Sequence, residues 1–334
     1  MKKLLLVLLL IFTAVDFSAA EATSPDDLIK QFYADMKTEH QMSADELDIW
    51  FKDVTVNQKI IDNMNRPAEK TLTWDRYRKI FIQKDRIDQG VSFWQKHLDT
   101  LNRAEETYGV PAHLIVSLIG VETKYGRILG RFDIFRSLYT LAFHYPRRAK
   151  FFTGELKAFL VLAKQEGWDV GSMKGSYAGA MGYGQFMPTS YQAYAVDFDG
   201  DGKINLVKNV VDAIGSVANY IKQHRWQKGA PIVKQVSVTS DAADKLLSTG
   251  LKPNRTVATL RAAGVDIPAD ISDETKVLFF KLKTDKDNYW IGFDNFYVIS
   301  RYNPRVFYVK AVTELAEEIK AGYTVADVSS KAAQ

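Results

Sequence analysis

Pro111-Ala112-His113-Leu114-Ile115-Val116-Ser117-Leu118-Ile119-Gly120-Val121-Glu122-Thr123-Lys124-Tyr125-Gly126 reads as one apolar helix with a carboxyl group in an awkward place. Pro111 suits a first helical position, where its missing N–H costs nothing, and Gly126 suits the residue that follows a helix end. Ile115, Leu118, Ile119 and Glu122 follow the i, i+3, i+4, i+7 spacing of one face, so the spacing predicts Glu122 on the apolar stripe. An ionised carboxylate there loses water, and in the last turn it meets the negative end of the helix dipole. Both effects favour the protonated form, which is the form that can protonate the leaving oxygen of a glycosidic bond near neutral pH. A boundary glutamate paired with Lys124, Arg127 or Arg131 has the same spacing, so periodicity alone leaves both readings open.

Outward from this helix, the middle of the chain from Pro111 to about Trp226 reads as helices joined by glycine-rich loops. The densest loop, Gly171 to Gly184, holds five glycines among fourteen residues, yet its aromatics and the following Gln185 make it too ordered for a linker. Three runs stand out: Gly120 to Gly126, Gly175-Ser176-Tyr177-Ala178-Gly179-Ala180-Met181-Gly182-Tyr183-Gly184-Gln185-Phe186-Met187-Pro188, and Asp212-Ala213-Ile214-Gly215-Ser216-Val217-Ala218-Asn219-Tyr220.

Together these runs closely resemble the lytic murein transglycosylase B family, and the likeness extends from about Trp74 to Tyr308. The resemblance implies a mainly α (α+β) fold, with a lysozyme-like catalytic core flanked by a helical domain and a small strand-containing domain. It implies cleavage of peptidoglycan glycan strands between N-acetylmuramic acid and N-acetylglucosamine, with Glu122 acting first as acid and then as base, and a 1,6-anhydro product. No second carboxylate is needed, unlike most glycosidases. It further implies that Ser176 and Gln185 line the cleft around Glu122, Ser176 being placed to bond the substrate acetamido group or Glu122. Tyr77, Tyr220, Tyr302, Asn303 and Tyr308 would line sugar sites, and Arg147 and Arg148 would meet lactyl or peptide carboxylates. Half-buried packing for Tyr77 and Tyr308, and a solvated surface for the arginine pair, are the competing readings.

Asp197-Phe198-Asp199-Gly200-Asp201-Gly202-Lys203-Ile204-Asn205 has the layout of an EF-hand loop: carboxylates at positions 1, 3 and 5, glycine at 6, the Lys203 carbonyl at 7 and a polar side chain at 9. Position 12 is Lys208, where a bidentate glutamate is usual. The resemblance suggests a longer loop closed by Asp212, although one residue more than expected separates Asn205 from Asp212. A structural calcium ion and no organic cofactor is the expectation, with a non-binding acidic turn as the other reading.

The flanks complete the division. Met1-Lys2-Lys3, an apolar stretch from Leu4 to Val15 and Ser18-Ala19-Ala20 read as a signal peptide over 1–20, which points to a soluble periplasmic protein after its removal, with an uncleaved anchor as the other reading. Residues 21–100 read as helical, 101–230 as the core containing the loop 197–212, 231–300 as a small α/β domain and 301–334 as a closing helix. In that small domain the runs 277–280, 289–291 and 296–299 all look strand-like. Tyr308, Val312, Leu315 and Ile319 repeat on one side of the closing helix.

Composition narrows the chemistry. Without cysteine there is no disulfide, thiol nucleophile or lipid anchor. Lys+Arg 44 against Asp+Glu 40 suits a polyanionic wall but is too balanced for nucleic acid. No H-E-x-x-H or G-x-S-x-G occurs, which argues against metallohydrolase and serine hydrolase chemistry. A muramidase using the same Glu122 with water, and a calcium-stabilised wall-binding protein without catalysis, remain the alternatives. Complexes with other cell-wall enzymes are a further expected partnership.

Overall fold

The computed structural model describes residues 24–65, 72–284 and 287–332. The leader read from residues 1–20 lies outside them. Local signals in the sequence set the first helices. Ser24 accepts the Asp27 N–H (3.2 Å) ahead of Pro25 at the start of α1 (Pro25–His40), and Ser43 and Glu46 form a reciprocal capping box at α2 (Ala44–Phe51). Then come α3 (Gln58–Asn65), α4 (Trp74–Phe81), α5 (Lys84–Lys96) and α6 (Leu98–Tyr108), the last two divided at His97.

The middle of the chain comprises α7 (Ala112–Thr123), β1 (Phe132–Asp133), α8 (Ile134–His144), α9 (Ala149–Glu166), β2 (Lys174–Gly175), α10 (Pro188–Tyr194) and α11 (Val210–Gln223). Next are β3 (Val233–Val238), β4 (Arg255–Thr256), α12 (Val257–Ala262), β5 (Val265–Asp266), β6 (Lys276–Lys283), β7 (Asp287–Gly292), α13 (Asp294–Ser300) and α14 (Val306–Ala332).

The central helix α7 does not have the single stripe that its spacing predicts. Leu114 to Gly120 are buried without a break, and only Val121 and Glu122 of the last turn reach the surface. Apolar or small residues occupy every face because α5, α6, α11 and α14 surround it. Ser117, polar within that core, donates its hydroxyl to the Val312 carbonyl of α14 (2.7 Å). Tyr308, Val312, Leu315 and Ile319 of α14 are buried on the same contact, so α14 is the strut that carries Tyr308 to the end of α7.

The antiparallel sheet has the order β4-β6-β7-β3-β5. Strand β6, between β4 and β7, is apolar on both faces: Leu278, Phe280 and Leu282 join the main core, while Val277 and Phe279 join a second core with Val257, Leu260 and Ile291. The strand-like run 296–299 is instead helix α13. Phe296, Val298 and Ile299 are buried in it, and short apolar runs do not reveal their period unaided.

Candidate active site

Glu122 stands half-buried in the last turn of α7, and the Tyr308 hydroxyl donates to its Oε1 at 2.6 Å. From there a row of rings leads inward. Tyr302 lies 6.5 Å from Tyr308 and nearly parallel to it, and Tyr220 meets Tyr302 edge-on at 4.8 Å and stacks on His224 at 4.2 Å. Burial, reinforced by the Glu122 charge, pushes the Tyr302 and Tyr308 hydroxyls well above the ordinary tyrosine range, so both remain proton donors. The Tyr302 hydroxyl donates to the Gly184 carbonyl (2.5 Å), and that of Tyr220 to the Arg301 carbonyl (2.6 Å). Tyr77 adds a further ring beside Tyr308, packed on Trp74 and Phe307.

The end of α7 is tied to the glycine-rich run. Thr123 donates to the Tyr183 carbonyl (2.9 Å) and accepts the Gly126 N–H (3.0 Å). Gly126 has φ 83°, and a Cβ there would lie 2.0 Å from the Tyr183 ring, so only glycine fits. Lys124, one candidate partner of Glu122, pairs instead with Asp85 at 2.8 Å. Gln185 holds a left-handed backbone (φ 49°), costly for a non-glycine residue, and its amide donates to the carbonyls of Gly182 (3.0 Å) and Leu129 (3.1 Å). Ser176 accepts the N–H groups of Ala180 (3.0 Å) and Ala178 (3.3 Å) rather than bonding Glu122, which leaves its hydroxyl proton to donate.

The structure therefore brings Tyr308, Tyr302, Tyr220 and Tyr77 into one group with Glu122, with Gln185 next to the Gly184 that Tyr302 holds. Asn303 is half-buried in the turn between α13 and α14. Arg147 and Arg148 are exposed in the turn Pro146–Arg148, where Arg148 lies over the Phe151 ring at 4.2 Å. No contact among the described residues joins that pair to Glu122. Thr123 and Gly184 were not marked out by sequence reasoning. A hydroxyl directly after the acid, at a helix end, is the signal that was present.

The acidic loop contains a three-carboxylate cluster. Asp197, Asp199 and Asp212 each place an oxygen within 4.8 Å of the others. Asp212 is fully buried and accepts N–H bonds from Asn205 (2.8 Å) and Phe198 (2.9 Å). Burial pushes its carboxyl up, and the charges of Asp199 and Asp197 push the same way. Three hard oxygen donors converging, one of them buried, fit a divalent cation such as calcium. Asp201 falls outside the cluster and accepts the Lys203 N–H (2.8 Å). Between Asn205 and Asp212 the chain turns over 206–208, where the Asn205 side chain accepts the N–H groups of Val207 and Lys208 while Asn209 caps α11.

One half-buried carboxyl at the end of an enclosed helix, backed by tyrosines, has the chemistry that general acid cleavage of a glycan needs. The transglycosylase SLT domain family matches residues 24–317. The chain is 46% identical over 264 residues to membrane-bound lytic murein transglycosylase B of Escherichia coli (strain K12), which covers 79% of this chain and 72% of that protein. The crystal structure of soluble lytic transglycosylase SltB1 from Pseudomonas aeruginosa is similar with a TM-score of 0.83 and 45% identity, over 88% of this chain and 98% of that one. Slt35 of Escherichia coli, solved in complex with calcium, gives a TM-score of 0.80 and 40% identity, over 89% and 94%. The chain belongs to the transglycosylase SLT domain family and is a lytic transglycosylase acting on peptidoglycan. Among the described residues no helix is long and apolar enough to cross a membrane.

Proposed function

We propose that Glu122 is the acid and then the base of this lytic transglycosylase, cutting the β-1,4 bond between N-acetylmuramic acid and N-acetylglucosamine. The observation that carries the reading is the Tyr308 hydroxyl on Glu122 Oε1 at 2.6 Å. The proton that Glu122 carries in its acid form is the transferable one. That proton passes to the glycosidic oxygen as the anomeric carbon–oxygen bond breaks. The muramoyl 6-hydroxyl then attacks the anomeric carbon, its proton returns to the carboxylate, and Glu122 ends protonated without water. Ser176, donating its hydroxyl proton, and Gln185 border the same cleft, and residues 101–230 form the catalytic core. Mass spectrometry of digested glycan strands tests the reaction: the expected fragment is lighter by one water than the hydrolysed one, and hydrolysed ends alone would make the enzyme a muramidase.

The cluster of Asp197, Asp199 and Asp212 would hold a structural calcium ion, with the Lys203 carbonyl as a further oxygen. Slt35 was solved with calcium, and the same chemistry is available here. Adding calcium to chelated protein is expected to raise the melting temperature by several degrees; an unchanged melting curve removes the ion. The leader pattern of residues 1–20 supports export to the periplasm.

A further inference from the structure

The last turn of α7 is held by a cation that the chemistry above does not use. Arg86, in the first turn of α5, donates from Nη1 to the Gly120 carbonyl at 2.5 Å, two residues before Glu122. The same carbonyl accepts the Lys124 N–H (3.1 Å) as the helix ends. Beyond it Lys124, Tyr125 and Gly126 take left-handed backbone in succession (φ 51°, 60° and 83°), which is costly at the two that carry side chains. That reversal folds the Tyr125 ring back between α7 and α5, where its hydroxyl donates to the Arg86 carbonyl (2.8 Å). Gly120 and Gly90 make the space: a Cβ on either would lie 2.6 Å from Tyr125.

Capping one carbonyl does not require a guanidinium in this position. Arg86 is half-buried, its Nε is shut off from solvent without a hydrogen bond, and burial works against its charge. A cation in the first turn of α5 also opposes that helix's own dipole. No carboxylate among the described residues pairs with it: the neighbouring Asp85 is bound to Lys124 at 2.8 Å and acts on Arg86 only through its charge. The negative pole that Arg86 does meet is the carbonyl end of α7, the end that carries Glu122.

We propose that Arg86 is a positioning residue for bond cleavage: its guanidinium on the Gly120 carbonyl fixes the last turn of α7 and offsets the negative helix end beside Glu122. The proposal rests on the acid-then-base reading of Glu122. A group that gives a proton and then takes one back works best when neither form is strongly favoured. Burial and the helix end both favour the neutral acid, and Arg86 opposes them. The other titratable groups at this end are Tyr308 of α14, Tyr302 of the turn before it and Tyr77 of α4, which are uncharged near neutral pH. Tyr220 of α11 is bonded to the Arg301 carbonyl, and Glu105 of α6 lies at the opposite end of α7, on the Ala112 N–H. Lys124 is paired with Asp85 and Arg127 is exposed, which leaves Arg86 as the half-buried cation without an acidic partner.

The test follows the Glu122 carboxyl through its pH titration by carbon NMR, its signal identified by loss in Glu122→Gln, beside the pH profile of kcat/KM on peptidoglycan. Arg86→Gln keeps an amide to donate to Gly120 but removes the charge. It should raise the midpoint of the Glu122 titration by about 0.5 to 1 pH unit, the scale of one unit charge acting through a partly buried medium. The alkaline limb of kcat/KM, where the acid form is lost, should move up by the same amount. Arg86→Lys keeps the charge and should return both toward wild type, a rescue that a merely structural part would not give. Arg86→Met, apolar and of similar length, gives the same comparison should the glutamine variant fail to fold. An unmoved titration in a neutral variant that melts as wild type does overturns the proposal, and so does an equal shift in the lysine variant. A titration that moves while the alkaline limb stays put would instead defeat the reading of Glu122 as the acid.

Discussion

Glu122→Gln is expected to lower turnover of peptidoglycan by at least about a thousandfold while glycan binding and the melting temperature stay close to wild type. Glutamine keeps an oxygen for the Tyr308 hydroxyl, so the contact at 2.6 Å and the ring row behind it persist. It has no acidic proton to give to the leaving oxygen and no carboxylate to receive one from the muramoyl hydroxyl. General acid and general base catalysis each contribute roughly 10²- to 10⁴-fold, and the proposed mechanism puts both roles on one group. Binding is measured by sedimentation with purified sacculi, and turnover by release of soluble fragments. Equal clearing of a wall suspension by both forms would remove Glu122 from the chemistry.

How much of this was legible beforehand depended on the range of the signal. The helix over α7 followed from local periodicity and a proline start, but its complete enclosure did not, because enclosure comes from helices up to about 200 residues away, such as α14 through Val312 and Ser117. The family resemblance singled out Glu122 and the tyrosines. What it could not convey was their separate contacts: the hydroxyl of Tyr308 reaches Glu122, while that of Tyr220 is committed to the Arg301 carbonyl. Residues 296–299 misled because a buried four-residue apolar run looks alike as strand or helix until its neighbours are known. Arg127 and Arg131 were read only as possible partners for Glu122. Their place along one cavity with Ser176 and Tyr177 arises from Gly130 lying on β2, a contact between segments more than forty residues apart.

The same long-range logic makes Asp212 a sensitive residue outside the cleft. Its two oxygens accept N–H groups from opposite ends of the acidic loop, Phe198 at 2.9 Å and Asn205 at 2.8 Å, and the side chain is fully buried. In Asp212→Asn one acceptor becomes an amide NH₂ facing a backbone N–H, so one buried donor loses its partner and the other loses charge assistance. Such changes cost about 2–3 kcal/mol together. Chelated variant should therefore melt several degrees below chelated wild type. With calcium the gap should widen, because the cation loses the buried member of its carboxylate cluster. A variant as stable as wild type in chelator would contradict the hydrogen-bonding account. One that keeps the full calcium-induced rise would take Asp212 out of the ligand set, leaving Asp197 and Asp199 to hold the ion with carbonyl oxygens alone.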